Sequence, residues 1–452
     1  MSQTLKFNVK RYNIYRNGAL VAIFNRKTKN VANKDKFHIT RQLYPFESMF
    51  EFLCTTLSGG AFLAKVSMTL GVRDSITALI SSIASLVCIV QLFSGSLAKR
   101  TQIKKWLLPL TLFTRVCMMG IFLLPFLNIS SFVDVILLIL VFSAQSSHIL
   151  VYPIKQTMFL TTVPEEDRTG YLARHNRVSI IAGIPLVLFG GLFIDKMTEL
   201  GKLRDAFLII AVAILFFGIC NLVILIISRE PPMKIAENKN MLQDLGTVFK
   251  SEKFRILFIL AVVFGCGVGI FSPFVSTYVQ REQGFSLTVA NLFTVAMYIA
   301  QILLLSALNK FKHKFNPAVL RTIFFAGNIV SNGVFFIMNN DTAIFFHSVY
   351  VIVAAITGTC TVGYTVLIYD SVEEEQRTTA VGILELTKGI SAFLTTLCIS
   401  PVFDRMQTNG VTLFGKPIFA QRILALCATG IITVAFIIWM CNRKKFSNIE
   451  KA

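Results

Sequence analysis

Hydropathy along the chain rises twelve times into apolar stretches about 17 residues long or longer, separated by short polar intervals. They run over 46–70, 75–98, 106–127, 133–160, 178–195, 205–228, 256–278, 286–308, 322–338, 343–369, 379–403 and 419–441. A helix of about 20 apolar residues crosses the hydrocarbon core of a bilayer, and a helix satisfies its own backbone where no water can. The pattern predicts an all-α polytopic membrane protein of twelve transmembrane helices, with the fourth and tenth projecting past the bilayer. Four segments follow: a basic N-terminal segment (1–45), a six-helix half (46–228), a polar linker (229–255) and a second half with a short tail (256–452).

Composition agrees with this pattern. The chain is 54% hydrophobic and 15% charged, against about 25% charge in soluble domains, and its 41 Phe outnumber its 24 acids. A soluble enzyme, a disordered chain and a disulfide-stapled secreted domain are all excluded. The net charge of +20 follows topology. Thirty-two Lys and Arg lie at the two ends and in the loops on their side. Only Arg73, Lys196, Lys202, Arg204, Arg281, Arg405 and Lys416 lie in the opposite loops. The positive-inside rule then puts both termini in the cytoplasm and removes the case for a nucleic-acid partner. All nine cysteines fall inside spans without metal-ligand spacing, so no metal and no cofactor is expected, and they read as small packing residues. The first span is expected to act as its own insertion signal, without a cleaved leader. Near the N-terminus, Tyr12–Tyr15 and Ala19–Phe24 flank Arg16-Asn17-Gly18, a hairpin signal. The segment is either a small β-hairpin on the anionic leaflet or a basic tail that fixes topology.

An internal repeat divides the chain. Val163-Pro164-Glu165-Glu166-Asp167-Arg168-Thr169 recurs as Val372-Glu373-Glu374-Glu375-Gln376-Arg377-Thr378 at an offset of 209 residues. The same offset carries Asp195-Lys196-Met197 onto Asp404-Arg405-Met406. Gln91 and Gln301 precede basic loops in the second and eighth spans. Two parallel six-helix halves follow from this repeat.

These halves, the cytoplasmic termini, the charged middle loop and the loop motifs together resemble the major facilitator superfamily over about residues 46–441. That family's loop between helices two and three has the pattern G-x-L-a-D-r-x-G-r-k. Here Gly95, Leu97, Ala98, Arg100 and Lys104 match it, while Lys99 replaces the acid and Gln102 the second glycine. The resemblance implies a cytoplasmic gate built from Gly95, Arg100, Glu165, Glu166, Arg168, Glu374, Glu375 and Arg377. The repeated acids also suit a helix start. Gly183-Ile184-Pro185 with Gly190-Gly191 is either a weak form of the family's antiporter motif or a kink-and-packing device. Gly265-Cys266-Gly267-Val268-Gly269 lies mid-span and reads as helix packing.

Ionisable groups inside a bilayer cost about 2.5–3.5 kcal/mol or more, so each marks a functional position. The first half holds Lys65, Arg115, His148 and Lys155, with Glu51 as its lone acid. Lys65 and Lys155 can also reach the headgroups by their stems. Span eleven carries Glu385 and Lys388 at i, i+3. Family architecture puts helices one, four, seven and ten around the cavity. The resemblance thereby implies Lys65, Gln145, His148, Tyr152, Tyr278 and Tyr364 as cavity residues, and Arg115 as structural. Glu385, Glu51 and Lys388 are the proton-coupling candidates.

The expected function is secondary active transport of a small organic solute by alternating access. No nucleotide-binding motif is present, so a proton, another coupling ion or the solute gradient supplies the energy. An excess of first-half cations favours an anionic or amphiphilic acid. The alternatives are a lipophilic-cation exporter working as a proton antiporter, or a non-transporting polytopic receptor. Besides the solute and membrane lipids no partner is expected, and the chain is expected to be monomeric. The short outer loops, with unmodified sequons at Asn128 and Asn340, fit a bacterial plasma membrane.

Overall fold

A computed structural model describes residues 36–91, 104–127, 132–163, 168–231, 246–310, 316–373, 376–413 and 415–447. The N-terminal hairpin signal lies outside them. Among these residues twelve principal helices follow in order. In the first half they are α1 (His38–Leu57, resuming as Gly60–Thr69), α2 (Asp74–Leu86, then Cys88–Gln91), α3 (Lys104–Leu123), α4 (Val133–Leu160), α5 (Arg168–Glu199) and α6 (Leu203–Ile227). In the second they are α7 (Glu252–Phe271, continuing in short turns to Glu282), α8 (Leu287–Lys310), α9 (Pro317–Ile337), α10 (Ala343–Tyr369), α11 (Arg377–Asn409) and α12 (Ala420–Asn442). Eleven are long and apolar enough to cross a membrane. The described part of α2 is shorter, and the predicted span continues into residues 92–98, outside the described set.

The helices outlast the apolar windows. α1 begins at His38 rather than 46, α5 at Arg168 rather than 178, and α11 runs to Asn409 rather than 403. Hydropathy marks the lipid-crossing part, whereas the i→i−4 hydrogen-bond ladder continues into polar sequence. A two-stranded hairpin, β1 (Val411–Leu413) against β2 (Lys416–Ile418), joins α11 to α12. Gly410 and Gly415 supply its positive-φ corners.

Each half builds its own core. Phe122, Leu137, Phe207 and Ile214 are buried in the first, and Phe254, Leu257, Phe325, Leu367 and Trp439 in the second. Large apolar side chains such as Phe113, Phe189, Phe216, Ile344 and Phe345 point outward, as a lipid-facing surface requires. Glycines set the closest helix contacts. A Cβ on Gly269 would stand 2.2 Å from the Ala392 carbonyl oxygen of α11, and one on Gly183 2.3 Å from the Phe52 ring of α1. Both glycine-rich stretches thus let α7 lie on α11 and α5 on α1, the way small residues bring membrane helices together. The halves meet through α2 against α11 and α5 against α8.

Contacts near the chain's ends place those ends on one side of the bundle, termed proximal. The Arg229 amide donates to Thr40 Oγ1 at 2.8 Å, and Lys445 pairs with Glu252 at 2.6 Å.

Candidate functional site

Two helices break at corresponding places. In α1 the Ser58 hydroxyl bonds back to the Cys54 carbonyl at 2.9 Å, and Gly60 takes φ of +51° before the helix resumes. A side chain there would resist that left-handed backbone. In α7 the α-helix stops at Phe271 and a 3₁₀ turn holds Ser272-Pro273-Phe274; proline has no N–H to continue the ladder. Beside both breaks, between the halves, lies a cavity of about 500 Å³. Its walls mix apolar groups with Thr55, Thr56, Ser276, Gln280, Asn291 and Tyr350. None of its lining residues is Asp, Glu, Lys or Arg. His347 closes one wall, with Nδ1 lacking a hydrogen-bond partner.

On the proximal side, the first half buries a charge network. Glu47 and Glu51 stand one turn apart on α1. Lys155 of α4 lies 2.8 Å from Glu47 Oε1 and also pairs with Glu51. Arg115 of α3 approaches Glu51 at 3.7 Å and donates to Asn221 Oδ1 at 3.4 Å, while Asn221 donates to Glu47 Oε1 at 2.9 Å. His148 Nε2 is 3.4 Å from Glu51. This arrangement corrects two expectations. Glu51 is not the lone acid, because Glu47 shares Lys155, so within this network two carboxylates meet two permanent cations, and only Lys65 is left over among the in-span Lys and Arg of the first half. Nor does Lys155 reach the headgroups, being 1% exposed, because two carboxylates hold it inside.

The second half differs. Arg321, which hydropathy assigns to the loop before span nine, lies one turn inside α9 and is 3% exposed. Its guanidinium carbon stands 4.1 Å from the ring centre of Tyr364, 4.4 Å from Phe325 and 4.6 Å from Phe324. Cation–π contact stabilises it there, and among the described residues it has no acidic partner. It borders a cavity of about 290 Å³ whose walls include Phe264, Tyr364, Glu385 and Lys388. Glu385 and Lys388 pair with each other along α11.

The remaining sequence candidates scatter. Tyr278 is fully buried, receives a 2.9 Å hydrogen bond from Gln283 Nε2 and packs on Phe335 and Phe419. Lys65 and Gln145 are half-buried and are in neither cavity's lining. Tyr152 is exposed, 6.0 Å from the His148 ring. Gly95, Arg100, Glu165, Glu166, Glu374 and Glu375 lie outside the described residues, as does the side chain of Arg168. Arg377 donates to the Tyr369 carbonyl at 3.3 Å and covers that ring.

Polar contacts between the halves cluster at the distal end. Asp195 accepts from the backbone amides of Leu287 and Thr288 at 3.1 and 2.8 Å, and from the Thr288 hydroxyl at 2.6 Å, so α5 caps α8. Asp74 pairs with Arg281 at 2.7 Å and accepts from Gln407 at 3.1 Å; Arg73 meets Asp404 at 3.4 Å. The repeated Asp195 and Asp404 thus sit at matching places in one seal.

Residues 48–396 match the Major Facilitator Superfamily. The chain belongs to this superfamily. No curated protein sequence matches it. Among solved structures, a variant of the nucleoside transporter NupG aligns with a TM-score of 0.71 at 14% identity, covering 89% of this chain and 99% of its own. The D-xylose-proton symporter aligns at 0.65 and 14% identity over 91% and 98%. A POT family transporter in complex with 5-aminolevulinic acid aligns at 0.66 and 10% identity over 90% and 97%. The chain is therefore an integral membrane transporter of the major facilitator fold, a secondary transporter rather than an enzyme. Within that fold, sequence reasoning passed over Glu47, Arg321, Asp195 and Asp404. The 209-residue repeat was a usable signal for the last two.

Proposed function

We propose that this major facilitator chain carries a small organic solute with an acidic group across the plasma membrane, by rocking of its halves about the cavity at the α1 and α7 breaks. The excess of Lys and Arg at the proximal end makes that end cytoplasmic. The distal seal is then the closed outer gate, and the conformation faces inward. Charge balance carries the solute class. Glu47, Glu51 and Glu385 each already face a cation, while Arg321 has none of them for a partner. Arg321 borders the smaller second-half cavity without an ion pair of its own among the described residues, and a low-dielectric wall carrying such a guanidinium attracts anions there and penalises cations. A lipophilic-cation exporter needs an unpaired acid at the cavity, and these three acids are committed. The 500 Å³ cavity, apolar with uncharged polar groups, suits the body of an amphiphilic acid. The 5-aminolevulinic acid complex among the structural neighbours supports an acid-bearing solute in this fold.

Energy comes from an ion gradient or the solute gradient, with Glu385 as proton carrier and Glu51 as the second choice. Counterflow in proteoliposomes tests the reading. Vesicles preloaded with an aromatic carboxylate should accumulate labelled carboxylate and ignore the corresponding amide. Exchange of tetraphenylphosphonium alone would replace it with cation export.

A further inference from the structure

The two halves place different chemistry at equivalent positions. Counted back from the break in each helix, Glu47 lies eleven residues before Ser58 in α1, and Ala261 eleven residues before Ser272 in α7. By the same count Gly265 stands where α1 has Glu51. Lys155 of α4, at the 209-residue offset, corresponds to Tyr364 of α10. Each half therefore drives a buried arginine inward, Arg115 from α3 and Arg321 from α9. Only the first half brings a carboxylate within ion-pair distance of it; in the second, Glu385 borders the same cavity as Arg321 but pairs with Lys388. In the second, alanine and glycine replace the two acids, and the 290 Å³ cavity borders Ala261.

We propose that this second-half cavity is a binding site for a small carboxylate, which takes beside Arg321 the place that Glu47 and Glu51 fill beside Lys155 and Arg115. Arg321 Nε is buried with no hydrogen-bond partner, and the whole side chain has no acidic partner among the described residues. A buried guanidinium left so is costly, and a planar carboxylate matches its fork of donors. Phe264, Phe324 and Tyr364 offer faces for an apolar or aromatic body. Glu385, in the same wall, pairs along its own helix with Lys388 and forms no ion pair with Arg321. This site is distinct from the 500 Å³ cavity, whose lining has no charged residue. It rests on the transport reading only for its role in carrying solute.

Saturation-transfer NMR on the full chain in lipid nanodiscs, titrated with benzoate and with benzamide, tests the site. Benzoate should bind saturably and benzamide about tenfold more weakly or worse. Arg321→Met should weaken benzoate by about tenfold or more. Ala261→Glu supplies the missing acid from within. It should abolish benzoate binding while melting at or above the wild-type temperature, and should melt well below it once Arg321→Met is added. Benzoate binding unchanged in a folded Arg321→Met variant overturns the assignment. So does an Ala261→Glu penalty equally large with and without Arg321, a comparison that holds even if Arg321→Met alone folds poorly. Intact benzoate binding without counterflow would count against the transport reading and leave the site standing.

Discussion

Lys155→Met is the sharpest perturbation of the first half. The substitution keeps most of the side-chain volume and removes one charge from between two buried carboxylates, Glu47 at 2.8 Å and Glu51 one turn away. Glu47 then keeps only the Asn221 amide, and Glu51 only the longer contacts to Arg115 and His148. Removing one partner of a buried ion pair costs about 3–5 kcal/mol, because the other charge stays desolvated. A cooperative unit of 150–250 residues, the size of one half, loses about 2–4 °C of melting temperature per kcal/mol. The expected drop is therefore about 6–20 °C, measured by thiol-reactive dye or by size-exclusion survival after heating in detergent. Adding Glu47→Gln and Glu51→Gln to Lys155→Met should recover most of the loss, since the acids then carry no unpaired charge. A single variant melting within about 2 °C of wild type would show that the network contributes little and refute the argument.

Removing the α8 cap with Asp195→Ala costs about 0.5–2 kcal/mol of distal seal, and alkylation of Ser276→Cys in the cavity by an impermeant maleimide from the distal side should speed up by about 2- to 30-fold; an unchanged rate means Asp195 does not hold that gate. Gly269→Val should yield no monodisperse protein on size exclusion, because its Cβ would meet the Ala392 carbonyl at 2.2 Å. Gly333→Ala, with nothing within 4 Å, should behave as wild type. Glu385→Gln should abolish proton-driven accumulation while leaving solute exchange measurable, and accumulation at the wild-type level would remove Glu385 as the coupling group.

The fold was legible because membrane insertion imposes one length scale on every span, and because the halves repeat at a fixed offset. The site was less so, for identifiable reasons. Averaging hydropathy over a window penalises arginine, so it trims span nine to begin after Arg321; the three rings that bury this guanidinium come from α9 itself and from α10, far along the chain. Glu47 sits beside the start of the apolar window and gains meaning only when Lys155, 108 residues later, is seen 2.8 Å away. Ser58-Gly59-Gly60 and Ser272-Pro273 are plain in the sequence, yet hydropathy is blind to backbone continuity. Asp195 and Asp404 were visible as a repeat. Their partners on α8 and α2 depend on how the halves meet, which no periodicity encodes.

Location decides which of these polar groups can take part in a conformational change. The first-half pairs join α1, α3, α4 and α6 and stay within one half. Rocking of rigid halves leaves them intact, so they bind the half into a unit and are not the latch. The distal contacts do cross between halves. The Arg73–Asp404 pair is open to water on the arginine side and worth about 0.2–1 kcal/mol. Asp195 holds two backbone amides of α8, worth a helix cap of about 0.5–2 kcal/mol. Asp74, whose side chain is fully buried, takes both Arg281 and Gln407, and separating it from them while it stays buried leaves a desolvated carboxylate. A ligand preferring one state by about 5.5 kcal/mol moves an equilibrium from 1:99 to 99:1, so solute binding can reverse a polar latch of this size. The partners of Asp195 and Asp74 both belong to the second half. Opening must therefore pull α8 from Asp195 and Arg281 from Asp74 in the same movement, and weakening either contact lowers the cost of the whole opening.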